Sequence, residues 1–306
     1  MSELHNLVCS VGIQGGVLLE RDFTVATFRL PPFAAEDAAS FGRSIVEAAA
    51  PVAQRAEPDL YVFPALMAMT LCPAFDPEQP DPSAIDAGIK EAYLAAGSYA
   101  ARTLGATVVP GSVYVRSGDD RLQEYAAVFD RQGNLVGEQR QTHVMAPALA
   151  VSDELTSIAV EEGVKIGLLL GRDAWHPEVS RILALSGADI LVAPLAPQAP
   201  YRAEEALWGL WQEVQQNQTF GIEAGLQGSL GTRTYGGRAA IFGPCEITPQ
   251  ESGFLPQPGY FVGTGSLVAT LKAEELQRIR REYPIFRQLN PGLYRKHLPM
   301  LYRRPR

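Results

Sequence analysis

Short apolar runs alternate with segments of helical periodicity along most of this chain, and that order restricts the folds open to it. Leu60–Phe63 and Ile190–Pro194 are short and continuously apolar, which is typical of strands buried on both faces. Ala84–Leu104 carries apolar residues at helical spacing. Alternating strands and helices predict a single α/β domain, and 306 residues with 46% hydrophobic content can bury a large core.

The same reasoning places the remaining elements and divides the chain into three parts. The other predicted strands are Phe23–Leu30, Thr107–Val115, Tyr125–Asp130, Val164–Leu170, Phe220–Gly225, Arg238–Phe242 and Tyr260–Leu271. The other predicted helices are Glu36–Arg55, Glu178–Ser186, Ala203–Thr219 and Lys272–Glu282. We expect an N-terminal extension over residues 1–22, one folded domain over 23–282 and a basic tail over 283–306.

Composition restricts the cellular setting and the kinds of site. The cysteines, Cys9, Cys72 and Cys245, are odd in number and widely spaced, which predicts neither a disulfide framework nor a zinc site. The four histidines show no metal-ligand spacing. No apolar run is long enough to span a membrane, and the N-terminus lacks a signal-peptide pattern. We therefore expect a cytoplasmic protein without a metal, a cofactor, or a nucleic-acid or membrane partner.

The net charge of −8 is distributed unevenly. Residues 272–306 carry ten Lys or Arg and three Glu, a net +7, which leaves a net −15 on the rest of the chain. A basic tail on an acidic body favours docking between the two, within one subunit or between subunits. A solvated end is the alternative interpretation of a terminal charge run.

Three segments carry a shared signature. They are DLYVFPAL (Asp59–Leu66), GEQRQTHV (Gly137–Val144) and GLLLGRDAWHPE (Gly167–Glu178). In this order and spacing, together with GSVYV (Gly111–Val115) and ALSGADILVAPLA (Ala184–Ala196), they resemble the nitrilase, or carbon–nitrogen hydrolase, superfamily. The resemblance covers roughly residues 23–302. It implies a four-layer αββα sandwich and a homodimer or a larger homo-oligomer.

The resemblance also implies that the catalytic residues are missing. The family places Glu, Lys and Cys at one point in each segment, where this sequence has Ala65, Gln141 and Gly171. In the family the Cys thiolate attacks the carbon, the Glu transfers the proton, and the Lys stabilises the oxyanion. Gly171 cannot form a thioester, Ala65 cannot carry a proton, and Gln141 donates a hydrogen bond without a charge.

Other residues near these segments are candidates for binding a ligand. Arg172 follows Gly171, and it either binds an anion or carboxylate or fills space and pairs with Glu124 or Asp173. Glu124 either faces the pocket or is an ordinary polar strand residue. Cys72 is either a substitute nucleophile or a small buried thiol. Gln141 and Asp173 complete the set of residues that we expect to bind a ligand.

The sequence therefore predicts a pseudoenzyme with a nitrilase fold, one that acts by binding a small anionic or carboxylate ligand or a protein partner. The alternative is a divergent hydrolase-like enzyme with altered chemistry in the same pocket. Trp208 and Trp211 are three residues apart on one predicted helix, which favours packing in the core or at a subunit interface.

Overall fold

The structure, a computed structural model, describes residues 19–78, 80–144, 149–256 and 260–301. The strands are β1 (Phe23–Leu30), β2 (Leu60–Val62), β3 (Thr107–Val109), β4 (Val113–Arg116), β5 (Leu122–Phe129), β6 (Leu135–Arg140), β7 (Ile158–Glu161), β8 (Val164–Leu168), β9 (Ile190–Leu195), β10 (Phe220–Leu230), β11 (Arg233–Gly236), β12 (Ala239–Phe242), β13 (Tyr260–Phe261) and β14 (Gly265–Leu271). The helices are α1 (Ala38–Ala56), α2 (Ile89–Leu104), α3 (Pro177–Leu185), α4 (Ala203–Ala206), α5 (Gln212–Asn217), α6 (Ala273–Glu282) and α7 (Pro291–Leu301).

The strands form one curled sheet with the order β4-β5-β3-β2-β1-β10-β9-β8-β7. The central neighbours are parallel, as the register of Val25 opposite Leu60 and of Ile166 opposite Ile190 shows. Antiparallel strands occupy the ends of the sheet, and β14 runs antiparallel to β1. Only two residue pairs, Arg29–Gly225 and Leu30–Leu226, join β1 to β10, so the two halves of the sheet separate beyond this point.

Three apolar clusters define four layers. The inner cluster joins Val62 and Val109 from one half of the sheet to Ile166 and Val192 from the other, so the two halves face each other. On one outer face, α1 and α2 cover residues such as Phe28 and Tyr61. On the opposite outer face, α3 and α5 contribute Leu183 and Val214 to a third cluster with Leu191. This arrangement confirms the predicted αββα sandwich.

Local chemistry explains where the helices begin and end. Asp37 caps α1 by accepting a hydrogen bond from the Ser40 amide, and the Ser40 side chain accepts from the Asp37 amide in return. Gly105 ends α2 in a left-handed conformation at φ 63°. At the other end, α2 begins at Ile89 and not at the predicted Ala84, because Pro82–Ala84 forms a separate 3₁₀ turn.

Two predicted elements are interrupted by glycines. The predicted strand Thr107–Val115 breaks into β3 and β4 at Gly111, where φ is 87° and a Cβ atom would lie 1.9 Å from the Pro64 carbonyl oxygen. The predicted helix Ala203–Thr219 deviates at Gly209, whose ψ of −131° is not helical. Both predictions missed that a glycine inside an apolar segment marks a bend of the backbone.

The two ends of the chain are described in part. Residues 1–18 of the predicted extension lie outside the described residues, whereas Leu19 is fully buried and its carbonyl accepts a hydrogen bond from the Gln277 side chain. The predicted basic tail carries a helix, α7, that the sequence did not indicate. Among the described helices, none is long and apolar enough to cross a membrane.

Candidate functional site

A cavity of about 670 Å³ opens where several central strands end. Leu66, Gly171 and Leu195, which line it, lie at or just after the carboxyl ends of β2, β8 and β9. Ligands of open parallel sheets bind at this edge, because loops and helix starts converge there. The cavity is therefore the natural place to locate the residues that the sequence singles out.

Gln141 and Gly171 meet on the wall of this cavity. Gly171 has φ 55°, in the left-handed region, and a Cβ atom built on it would lie 2.1 Å from Gln141 Nε2. The same Cβ position is 3.1 Å from Glu124 Oε2. Residue 171 thus has neither a side chain nor space for one while Gln141 keeps this position.

Ala65 belongs to the same region through its neighbours. It is buried in the outer cluster beneath α1 and α2, and Leu66 follows it at the cavity surface. The Leu66 amide donates to Ser112 Oγ at 3.1 Å, and the Ser112 hydroxyl donates to Glu124 Oε1 at 2.6 Å. A short chain of hydrogen bonds thereby connects the backbone beside Ala65 to the Glu124 carboxyl group.

Glu124 is the buried acidic group of this wall. It lies on β5, lines the cavity and is 4% exposed. Burial is the main cause that raises the pKa of the Glu124 carboxyl, the hydrogen bond from Ser112 lowers this pKa, and the negative charge of Asp173 raises it. Together these effects give a pKa of about 7. The Oε2 atom has no hydrogen-bond partner among the described residues. Glu124 therefore changes protonation state near neutral pH.

Asp173 organises the backbone behind the cavity. Its carboxylate accepts hydrogen bonds from the Thr142 amide and hydroxyl, the His143 amide and the Leu170 amide, at 2.9–3.3 Å. Burial raises the pKa of Asp173, and the hydrogen bonds from Thr142, Leu170 and His143 oppose that effect. Within the described part of the chain, Asp173 is not among the residues that line the cavity. Its contacts position Gln141 through the adjoining segment.

Two stacked histidines lie beside Asp173. The His143 and His176 rings are 3.7 Å apart at 12°, and His143 Nδ1 lies 3.5 Å from Asp173 Oδ1. Burial lowers the pKa of His176, and His143 lowers it further. Of the two, His143 lines the cavity.

Arg172 lies at the mouth of the cavity. It is exposed, and its guanidinium stands 4.5 Å above the Trp175 ring. Neither Glu124 nor Asp173 forms an ion pair with it among the described residues. Of the two interpretations of Arg172, the structure does not place it in the space of a lost side chain, where Gln141 lies instead.

Cys72 is 5% exposed and lies in the cluster beneath the helices. Burial raises the pKa of its thiol, which disfavours the nucleophilic thiolate. Cys72 does not line the cavity within the described chain.

The cavity lining also includes a buried charged pair that the sequence analysis missed. Glu223 and Arg238 form a buried ion pair at 2.6 Å, with side chains 3% and 4% exposed. The Arg238 guanidinium also contacts the Tyr201 hydroxyl and stacks near the Phe254 and Tyr260 rings. A single Glu inside the buried run of β10 was the available signal, because an acidic group there requires a partner.

The charged residues that line the cavity limit the kind of ligand it can bind. Four arginines line the cavity, Arg172, Arg202, Arg233 and Arg238, against three acidic residues, Glu78, Glu124 and Glu223. Glu78 pairs with Arg233 at 2.8 Å. In a chain of net charge −8, this lining is neutral to positive. Among the described residues, no cluster of His, Cys, Asp and Glu could hold a metal ion.

Comparison with known proteins identifies relatives of the whole fold. The sequence model of the carbon–nitrogen hydrolase family matches residues 24–247. A citrullinase of Francisella tularensis subsp. tularensis is 26% identical over 202 residues, which are 61% of this chain and 68% of the citrullinase. A Pseudomonas protegens protein named as a hydrolase in the pqqF 5' region is 29% identical over 90 residues, covering 28% of this chain and 32% of that protein.

Solved structures show the same architecture. A carbon–nitrogen hydrolase from Helicobacter pylori G27 superposes with a TM-score of 0.74 at 20% identity, over 91% of this chain and 99% of that one. Saccharomyces cerevisiae Nit3 superposes with a TM-score of 0.67 at 17% identity, over 88% and 96%. An amidase from Nesterenkonia sp. gives 0.65 at 19% identity, over 89% and 97%. At these identities the likeness concerns the fold.

Proposed function

We propose that this chain, which belongs to the carbon–nitrogen hydrolase family, is a pseudoenzyme that binds a small carboxylate-bearing molecule without hydrolysing a carbon–nitrogen bond. The observation that carries the proposal is the position of the Gln141 side chain. Its Nε2 atom lies 2.1 Å from the point where a Cβ atom of residue 171 would be. The family reaction requires a nucleophilic side chain at this point, and neither residue supplies one. The citrullinase and the amidase are named for reactions that we propose this chain has lost.

Arg172 supports a carboxylate as the ligand. Its guanidinium is exposed at the cavity mouth and lies over the Trp175 ring, 4.5 Å from the ring centroid. A guanidinium presents paired N–H donors whose geometry matches a carboxylate. The cavity volume of about 670 Å³ suits a small molecule.

Two assays test this proposal. Amides, nitriles and carbamoyl compounds incubated with the chain should release no ammonia above background.

Simple carboxylates should quench or shift Trp fluorescence, because Trp175 lies at the mouth. Arg172→Met should weaken this binding about tenfold, since a charge-assisted contact is lost. Arg121→Met is the matched control, because Arg121 pairs with Asp119 on the surface. Ammonia release that persists in purified protein would overturn the proposal.

A hydrolase with altered chemistry is the second candidate, and one observation favours it. Glu124 lines the cavity with a pKa raised to about 7 by burial, which is the range of a general acid or base. A water molecule activated by Glu124 would replace the missing thiol in such a reaction. This candidate predicts turnover of an ester or amide that Glu124→Gln abolishes while the fold is retained. The pseudoenzyme predicts no turnover in either protein.

A further inference from the structure

Two polar atoms lie close to the position where a side chain of residue 171 would begin. Gln141 Nε2 lies 2.1 Å and Glu124 Oε2 lies 3.1 Å from the Cβ position built on Gly171. Neither atom has a hydrogen-bond partner among the described residues, and both residues line the cavity. Gln141 and Glu124 are 5% and 4% exposed, so both are held inside the protein.

We propose that Gln141 and Glu124 form a carboxylate-binding pair, in which Glu124 binds as a neutral acid and donates its hydrogen bond to the ligand. This inference rests on the proposed function and specifies its ligand contact. Gln141 Nε2–H would donate to one oxygen of the ligand, and Glu124 Oε2–H to the other. Both atoms are placed beside Gly171, where no side chain intervenes.

The surroundings of Glu124 favour its neutral form. Among the residues that the structure describes, Ser112 alone donates to the Glu124 carboxyl group, on Oε1, and no donor to Oε2 stabilises a negative charge there. Asp173, by contrast, receives several hydrogen bonds from backbone and side-chain donors and remains the better stabilised anion. A buried acid near a buried anion keeps its proton, and its O–H group then becomes a donor.

Binding should therefore depend on pH through Glu124. The titratable or charged groups around it are Tyr93 of α2, Tyr114 of β4, Tyr235 of β11, Asp173, and the cavity residues His143, Arg172 and Arg233. Aliphatic carboxylic acids are ionised above about pH 6, so the ligand itself does not change there. With a Glu124 pKa of about 7, the competent neutral fraction falls about tenfold between about pH 6 and pH 8.

The experiment measures the Kd of butyrate for the full chain by saturation-transfer NMR across this pH range. We expect the Kd to rise about tenfold from about pH 6 to pH 8. In Glu124→Gln, the amide keeps a permanent donor and its oxygen still accepts from Ser112. This variant should bind as tightly as the native chain at pH 6 and change less than about threefold over the range.

A histidine variant tests whether the cavity residue His143 contributes to the pH dependence. His143→Gln should retain a change of about tenfold, because the pH dependence belongs to Glu124. Three results would each overturn the inference. They are a butyrate Kd that still rises about tenfold with pH in Glu124→Gln, a Kd that no longer changes with pH in His143→Gln, and no butyrate binding at either pH.

Butyramide, the neutral ligand of the same size as butyrate, distinguishes failure of this inference from failure of the proposed function. Butyramide should bind more weakly than butyrate at pH 6, because the pair offers two donors and the amide presents an N–H group to one of them. Tighter binding of butyramide without ammonia release overturns the inference and leaves the pseudoenzyme proposal intact. Release of ammonia from butyramide overturns both.

Discussion

At the scale of single residues, Gly171 decides whether the family reaction can be restored. Gly171→Cys introduces a thiol, but φ 55° is unfavourable for any residue with a Cβ, and Gln141 Nε2 lies 2.1 Å from that Cβ. We expect a loss of about 1–2 kcal/mol in the free energy of unfolding and no release of ammonia. Urea denaturation and an ammonia assay measure the two effects.

Gly171→Ala is the control, because it has the same backbone strain without a thiol. The two variants should be destabilised to a similar extent. Ammonia produced by the Cys variant and not by the Ala variant would mean that another residue supplies the base, and the role assigned to Ala65 would then be wrong.

Glu124 predicts a pH dependence of stability. Because burial raises its pKa from 4.5 to about 7, the native chain holds a proton that the unfolded chain releases above about pH 4.5. The free energy of unfolding thus decreases as the pH rises from about 4.5 to 7. Glu124→Gln lacks this effect and should be more stable than the native chain by about 3 kcal/mol at about pH 8.

Comparing the free energy of unfolding of the native chain with that of Glu124→Gln at several pH values isolates the contribution of Glu124, since every other ionisable group is common to both proteins. The difference in the free energy of unfolding should disappear near pH 4. An equal difference at all pH values would contradict a raised pKa and indicate a packing effect of the substitution.

Sequence reasoning identified part of the site at this scale. It named Gln141, Gly171 and Glu124, and the structure brings these three together beside the cavity. It missed Ser112, whose hydroxyl holds Glu124, and the ion pair of Glu223 and Arg238. These contacts lie between residues 12 and 15 positions apart, on or next to neighbouring strands, and they depend on which side chains face each other across the sheet. Periodicity and motif spacing carry no signal for that pairing.

At the scale of elements, burial determined which strands could be predicted. β1 was predicted with its observed bounds because its residues alternate as in a strand and Pro31–Pro32 ends it. The periodicity of the sequence did not predict β6, since Gln139 alone of its six residues is buried and its hydrophobic residues Leu135 and Val136 lie at the surface. β7 was missed too, because its four residues give too short a pattern. Pairing with a neighbour, and not intrinsic pattern, defines such strands.

A buried ion pair joins the helix α6 to the sheet. Arg280 pairs with Asp189, which immediately precedes β9, and it donates to the Gln218 carbonyl at 3.0 Å. Asp189 is 1% exposed, and burial raises its pKa. Arg280→Ala leaves a buried carboxylate without its partner and should lower the free energy of unfolding by about 3 kcal/mol, measured by urea denaturation at pH 7.

Arg278→Ala on the same helix is the matched control. Arg278 pairs with Glu275 and Glu282 on the surface, so its removal should hardly change the denaturation midpoint. Adding Asp189→Asn to Arg280→Ala should recover part of the loss, because the buried charge is then removed. Equal effects of Arg278 and Arg280 would contradict this account.

At the scale of the whole molecule, the C-terminal end combines a net positive charge with exposed apolar residues. The segment from Lys272 carries a net +7 against −15 on the rest of the chain. Phe286 packs against Arg181 of α3, with the guanidinium 5.3 Å from the ring, so the first part of the tail contacts its own subunit. The helix α7 that follows exposes Leu293, Tyr294, Leu298 and Met300. An apolar helix face of this kind is suited to contact with another molecule.

We expect the chain to be at least a dimer, with α7 lying against a neighbouring subunit. The apolar side chains of α7 would supply contact area, and the basic residues of the tail would select an acidic partner surface. Light scattering on the full chain should therefore give the mass of two or more chains, and a chain that ends at Asn290 should give a lower mass at the same concentration. Keeping the chain to Asn290 retains Phe286, so the fold of α3 is left undisturbed.

A second variant separates the apolar contact from the charge. Tyr294→Ser combined with Leu298→Ser and Met300→Ser removes exposed apolar groups of α7 and leaves every charge of the tail in place. It should lower the mass as the shortened chain does, whereas Tyr99→Ser, which alters an exposed aromatic residue on α2, should not. A monomer at micromolar concentration would contradict the assembly itself. An oligomer that both tail variants leave intact would retain the assembly and exclude α7 from its interface, since the contacts that hold it would then lie on the acidic body.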